Sequence, residues 1–323
     1  NKSHKVMRKI LTSLTALLLS ASAAFGQHEV APSLTSQVFS RINFNPAGIG
    51  NSSDLNIFSQ SRLQWIGFGD GSPKSTVLNV HYFHEDWKSG FGGTFTYDQI
   101  GLGNRSLTAK IAYCYNLDLS ETMLLSFGLA GGINQFSKDY SKDVLTQEAS
   151  SAGITLENES KLNPDIDLGI EFSMPYLMAG FSIDHIGQTG DVTTLHPSMS
   201  YYGYVRGTIP VKDDWQLSPS LLYAHSGKST DVIDLGCMAF YSGFSMSDLM
   251  LWGGLNFNFN IFTNAPQTAL MIGGEWKVVR LGYAYEMGFG VGNYNTHELV
   301  LGFRIPTSSG KSKYNSAAKK KKK

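Results

Sequence analysis

Two dipeptides set a base beside a carboxylate, Asp184-His185 and His297-Glu298, and a third stretch carries His81 and His84. A histidine next to an acidic side chain is raw material for general acid–base chemistry. All three sites lie in stretches that alternate as strands do, with successive side chains on opposite faces. Neither dipeptide then forms a hydrogen-bonded dyad by itself, and His81 and His84, three residues apart, fall on opposite sides. Catalysis needs convergent geometry, so the chain is expected not to be an enzyme. No Cys or His spacing supports a metal site, and no cofactor is expected. Gly67, Gly69 and Gly71 lack the helix start that a phosphate loop requires and read as turn residues. More telling are charges of common parity: Lys110, Asp165, Asp167, Glu171, Arg206, Glu275, Arg280, Glu286 and Arg304. Both signs on one face predict a salt-bridged polar interior.

The elements that position these charges are strands. Leu107, Ala109, Ile111, Tyr113, Tyr115 and Leu117 alternate with Thr108, Lys110, Cys114 and Asn116. Ile166, Leu168, Ile170 and Phe172 alternate with Asp165, Asp167 and Glu171, and Val279, Leu281, Tyr283 and Tyr285 with Arg280 and Glu286. A soluble sandwich would turn the apolar face inward. A membrane barrel turns it to lipid and lines its lumen with the charges. Alternation and turn residues place about fourteen strands near 55–64, 75–84, 89–98, 105–117, 121–133, 164–173, 176–184, 198–209, 214–225, 231–241, 248–259, 267–276, 279–287 and 296–305. Most approach the 9 to 11 residues that a tilted strand needs to cross a bilayer. The expected fold is all-β: a transmembrane antiparallel barrel after a cleaved signal peptide.

Composition agrees with that class. The chain of 323 residues is 42% hydrophobic and 12% aromatic, holds 34 glycines and is only 16% charged, against about a quarter in soluble domains. A formal net charge of zero argues against a nucleic-acid partner. Cys114 and Cys237 fall on opposite parities, so no disulfide is expected between them. Met7, Arg8 and Lys9, the apolar run Ile10 to Leu19, and the small residues up to Gly26 read as a secretory signal over residues 1–26, with 1–6 upstream of the initiator.

Connections are expected to sort by length. Short ones fall at 85–88, 118–120, 174–175, 211–213 and 277–278, and longer ones at 65–74, 134–163, 186–197, 226–230, 260–266 and 288–295. Short periplasmic turns alternating with longer outer loops are a barrel pattern. Trp65, Tyr97, Tyr176, Trp215, Tyr223, Trp252 and Trp276 stand near strand ends, where headgroup-level girdles form. Outside the barrel proper (55–305), residues 27–54 read as a periplasmic N-terminal segment. Residues 306–323 read as a disordered basic tail ending in Lys319 to Lys323.

Four patches resemble the PorP/SprF family of type IX secretion outer-membrane proteins from the Bacteroidetes. Asn45-Pro46-Ala47-Gly48-Ile49-Gly50 resembles the family's NPAYAG segment, with Ile49 and Gly50 departing from it. Arg62-Leu63-Gln64-Trp65-Ile66-Gly67-Phe68 with Gly71-Ser72-Pro73-Lys74-Ser75 resembles R-x-Q-W-x-G-F…G-A-P-x-T, and is the specific match. Gly101-Leu102-Gly103 and His297-Glu298 add weaker ones. The resemblance implies a non-catalytic component of secretion and gliding machinery, embedded in outer-membrane lipid. Its implied partners are periplasmic ring or peptidoglycan-associated lipoproteins, or a secreted adhesin. Arg62, Gln64, Trp65, Phe68, Asn45 and Pro46 are the candidate partner-binding residues, since Arg and Trp are over-represented at hot spots. Asn-Pro-Ala-Gly also occurs near the start of FadL-like transporters of hydrophobic molecules. That alternative needs an apolar pocket among inward residues.

Overall fold

The computed structural model describes residues 39–51, 54–67, 69, 71–142, 157–189, 197–227, 230–245, 248–261, 265–288 and 295–307. The expected signal peptide, Phe68 and nearly all of the lysine tail lie outside them. Fifteen strands form one antiparallel sheet: β1 (Leu55–Leu63), β2 (Lys74–His84), β3 (Ser89–Ile100), β4 (Asn104–Asp118), β5 (Leu124–Lys138), β6 (Glu159–Met174), β7 (Leu177–Thr189), β8 (Ser198–Gly207), β9 (Ile209–Lys212), β10 (Trp215–Ser226), β11 (Thr230–Tyr241), β12 (Leu249–Asn260), β13 (Ala265–Trp276), β14 (Val279–Gly288) and β15 (Asn295–Ile305).

Each strand pairs with its sequence neighbour, and β1 pairs with β15 from Leu55↔Ile305 to Leu63↔His297, which closes the ring. Strands β8 and β9 are halves of one stave, since both lie against β10 on the same side. The stave breaks at Thr208, beside Pro210, which has no N–H to give the ladder. The barrel therefore has fourteen staves and no open edge. Among the described residues no helix is long and apolar enough to cross a membrane; crossing is left to the strands.

The side chains decide which face is wet. On β4, Ile111 is 77% exposed while Cys114 and Asn116 are fully buried. On β6, Ile166 and Leu168 point out, while Asp165, Asp167 and Glu171 are buried. Apolar residues cover the outside, and the buried charges turn inward beside the apolar side chains that meet the N-terminal segment, so the wet face is reversed from a soluble domain. Cys114 faces inward and Cys237 outward, both free thiols.

Three expectations need correction. First, connection lengths sort imperfectly: β3 and β4 are joined by only Gly101–Gly103, whereas residues 242–248 join β11 to β12 at the opposite end. Second, Trp252 belongs to no girdle. It faces the lumen at 3% exposure, against Phe39, because its parity is that of the inward residues. Third, the described part of segment 27–54 does not hang outside: residues 39–51 run through the lumen. That stretch shows no periodicity because it belongs to no sheet and rests on walls supplied by distant strands.

Candidate functional site

The lumen is occupied by the chain's own N-terminal segment, made of two 3-10 turns, Arg41–Asn43 and Pro46–Asn51. Pro46 starts the second turn, a position where its missing N–H costs nothing. Ala47 N donates to Asn45 Oδ1 at 2.9 Å, closing the Asn-Pro-Ala corner. The Asn45 amide donates to Ile170 O at 3.2 Å and to the Tyr204 hydroxyl at 3.0 Å. Ser182 Oγ donates to Phe44 O, and the Asn116 amide to Gly50 O. Asn45, Ala47 and Ile49 are fully buried. A segment with only two short 3-10 turns must find further partners for its backbone polar groups, and here the barrel wall provides them.

The wall is shaped for this segment. A Cβ placed on Gly128 would fall on the backbone of Pro46 and Ala47, and one on Gly169 would fall on Asn45. Glycine at these inward positions is required by the close approach of the plug, its backbone at Gly128 and its side chains at Gly169, rather than by a turn. Gly128 and Gly169, both on the inward parity, mark where the segment lies against the wall.

Arg41 locks the plug. Its Nε donates to Glu171 Oε2 at 2.7 Å and its Nη2 to Glu171 Oε1 at 3.4 Å, with Glu171 fully buried. The Tyr204 hydroxyl donates to the same carboxylate. Phe44 packs edge-on to Tyr204 with ring centroids 5.4 Å apart, and the Arg280 guanidinium sits 4.7 Å over the Phe39 ring. Arg41 was missed from sequence because it belongs to no alternating stretch.

The lumen charges pair in three further groups. Toward the short-turn end, Arg280 Nη2 lies 2.7 Å from Glu275, and Arg304 pairs with Glu275 and, at 3.8 Å, with Asp54. Toward the loop end, Lys110 Nζ lies 3.0 Å from Asp165 and 2.7 Å from Asp167. On another part of the wall, Arg62 of β1 reaches Glu286 at 2.7 Å and Glu298 at 3.3 Å. Arg206 faces the lumen from β8. Arg62 thus departs from its expected role. At 3% exposure, held by two carboxylates, it braces β1 against β14 and β15 and does not present itself to a partner. Its inward parity on β1 is the physical reason.

Gln64 and Trp65 lie just past β1 at the loop end. Gln64 N donates to Pro73 O at 2.9 Å, and Ser72 Oγ donates to Trp65 O at 3.1 Å. Gly67 and Gly69 have φ of 101° and 98°, the left-handed conformations of a turn. Asn45 and Pro46 are buried in the plug and offer no outer surface.

The histidines separate as alternation requires, with one exception. Glu298 faces inward to Arg62, while His297 faces outward and shares a 2.6 Å hydrogen bond with the Tyr283 hydroxyl. His185 breaks the rule. Its φ of 57° turns the ring to the lumen, where Nδ1 lies 2.9 Å from both Asp165 oxygens. The ligand atoms of Asp165, Asp167 and His185 come within 4.8 Å of one another, a grouping that sequence spacing did not reveal.

A plugged, charge-lined barrel with an apolar exterior is built to sit in a membrane. The family model described as type IX secretion system membrane protein PorP/SprF matches residues 28–303. The chain belongs to this family. As a PorP/SprF protein with a closed barrel, it resides in the outer membrane. No curated protein matches it. Among solved structures it resembles the CymD monoaromatic hydrocarbon channel, with a TM-score of 0.53 and 10% identity over 81% of this chain and 91% of that one. A Pseudomonas aeruginosa FadL homologue gives 0.51 and 10% over 88% and 98%. The Pseudomonas putida toluene transporter TodX gives 0.50 and 12% over 88% and 96%. At such identity these likenesses concern the fold.

Proposed function

We propose that this PorP/SprF protein is a non-catalytic docking platform of the type IX secretion and gliding machinery, sealed by its own N-terminal segment. The end where β1 begins and β15 finishes, which also carries the short turns, faces the periplasm. There it meets ring or peptidoglycan-associated lipoproteins, while the loop end meets a secreted adhesin. The supporting observation is the lumen itself. Residues 39–51, the Arg41–Glu171 lock and the Arg62 and Lys110 clusters occupy it at several levels, so its use lies in surfaces rather than in passage. Liposome swelling with small sugars tests the seal, and rapid permeation would discard it. Affinity purification from outer membranes tests the partners. Co-purified lipoproteins or a single large adhesin support the platform, and bound fatty acid with no protein opposes it.

A second reading is transport of hydrophobic small molecules, the role of the toluene transporter TodX, a barrel of similar fold. A cavity between the plug and the β8–β13 wall, touched by Phe44, Leu222, Met238 and Met271, favours it. Its volume is about 50 Å³, against roughly 300–1,000 Å³ for typical small-molecule sites. Arg41 and Arg206 also line it, so it is neither large nor wholly apolar.

A further inference from the structure

Near the loop end the barrel wall loosens at one place. The β6–β7 ladder runs from Met174↔Leu177 to Leu168↔Ile183 and goes no further. On its other side β7 shifts register against β8 between Asp184 and Thr189. Four lumen groups meet beside this gap: Asp165 and Asp167 from β6, and Asp184 and His185 from β7. Lys110 of β4 reaches in from across β5, its Nζ 2.7 to 3.0 Å from carboxylate oxygens of both β6 residues.

Asp184 sets this group apart from an ordinary ion pair. It is 2% exposed and its Oδ1 has no hydrogen-bond partner. It interacts electrostatically with Asp165, Asp167 and Lys110. Three buried carboxyl groups therefore crowd round one ammonium and one imidazole, more acidic groups than cations to meet them. A buried carboxylate oxygen without a donor is costly, and further positive charge would remove the cost.

We propose that Asp165, Asp167 and His185, with Asp184 beside them, bind one divalent transition cation of the Mn²⁺ or Zn²⁺ class, in the place now taken by the Lys110 ammonium. His185 Nδ1 and the Asp165 oxygens are 2.9 Å apart, which suits neighbouring ligands on a metal with bonds of about 2.0–2.2 Å. Mixed carboxylate and imidazole donors favour such cations over Ca²⁺ or Mg²⁺, which prefer all-oxygen shells. His185 is already oriented, because its backbone N donates to Asp167 Oδ1 at 3.0 Å. Its ring, 16% exposed, provides the edge by which an ion enters. The bound cation ties β6 to β7 beyond their last rung. The proposal stands whether or not the docking reading holds.

The test uses the full chain folded in detergent, stripped with a chelator, then titrated with Mn²⁺ and separately with Zn²⁺ by calorimetry. One ion per chain is expected. Asp184→Asn should bind about tenfold or more weakly, and Lys110→Met, which removes the competing ammonium, more tightly. The bound ion should also raise the temperature at which the folded band is lost on a heated gel. His185→Ala, at the site's partly exposed rim, serves if Asp184→Asn does not fold. The proposal is overturned if neither the wild type nor Lys110→Met takes up metal. It is equally overturned if Asp184→Asn or His185→Ala binds as tightly as the wild type, since binding would then belong to other residues.

Discussion

Replacing Arg41 with Met removes the lock between plug and wall while keeping a long apolar stem. The Arg41–Glu171 pair is two-pronged, at 2.7 and 3.4 Å, and Glu171 is fully buried. Removing one partner of a buried pair costs about 3–5 kcal/mol, because the remaining charge is left uncompensated. The Tyr204 and Ser173 hydroxyls still donate to Glu171, which places the cost near the lower end, about 3 kcal/mol. At tenfold per 1.4 kcal/mol, the population with a displaced plug should rise roughly a hundredfold. Planar-bilayer recording is the assay: rare or absent openings in the wild type, frequent ones in Arg41→Met. The double variant Arg41→Met/Glu171→Met should quieten the barrel again, since replacing both partners with apolar groups is nearly neutral. Conductance in Arg41→Met indistinguishable from wild type would refute the claim that this pair holds the plug. So would equal opening in the single and double variants.

Gly128→Ala should also unseat the plug, because its Cβ falls on the Pro46–Ala47 backbone, whereas Gly131→Ala, with nothing within 4 Å, should behave as wild type; liposome swelling compares the two. Arg62→Ala should lower barrel stability by about 3–5 kcal/mol by leaving Glu286 and Glu298 buried without their cation, read as earlier loss of the folded band on heating. Trp252→Ala should cost about 3–5 kcal/mol through the cavity it leaves beside Phe39, measured by denaturant midpoint in detergent.

The staves were legible because alternation is local. Each of the fourteen expected segments overlaps a stave, and their parity placed Ile111 and Leu168 outside and Asp165 and Glu171 inside. Where the expectation slipped, a local rule met a non-local cause. Trp252 looked like an interfacial ring because tryptophan near a strand end usually is one, yet its parity and the plug's Phe39 hold it in the lumen. Arg62 had the composition of a binding hot spot, but only the closure of β1 against β15 reveals that two glutamates already hold it. His185 escaped notice because a single left-handed residue reverses the alternation on which its reading rested.

Sequence by itself determined the class of the protein, its membrane-facing surface and its family. Period-two patterning belongs to each strand alone, and motif residues such as Arg62-Leu63-Gln64-Trp65 are contiguous. The tertiary structure decided what fills the barrel. Arg41 meets Glu171 across 130 residues, and Asn45 meets Tyr204 across 159. Lys110 is 57 residues from Asp167. Contacts so distant in sequence leave no periodic trace, and they exist only once the sheet has curved round to enclose them.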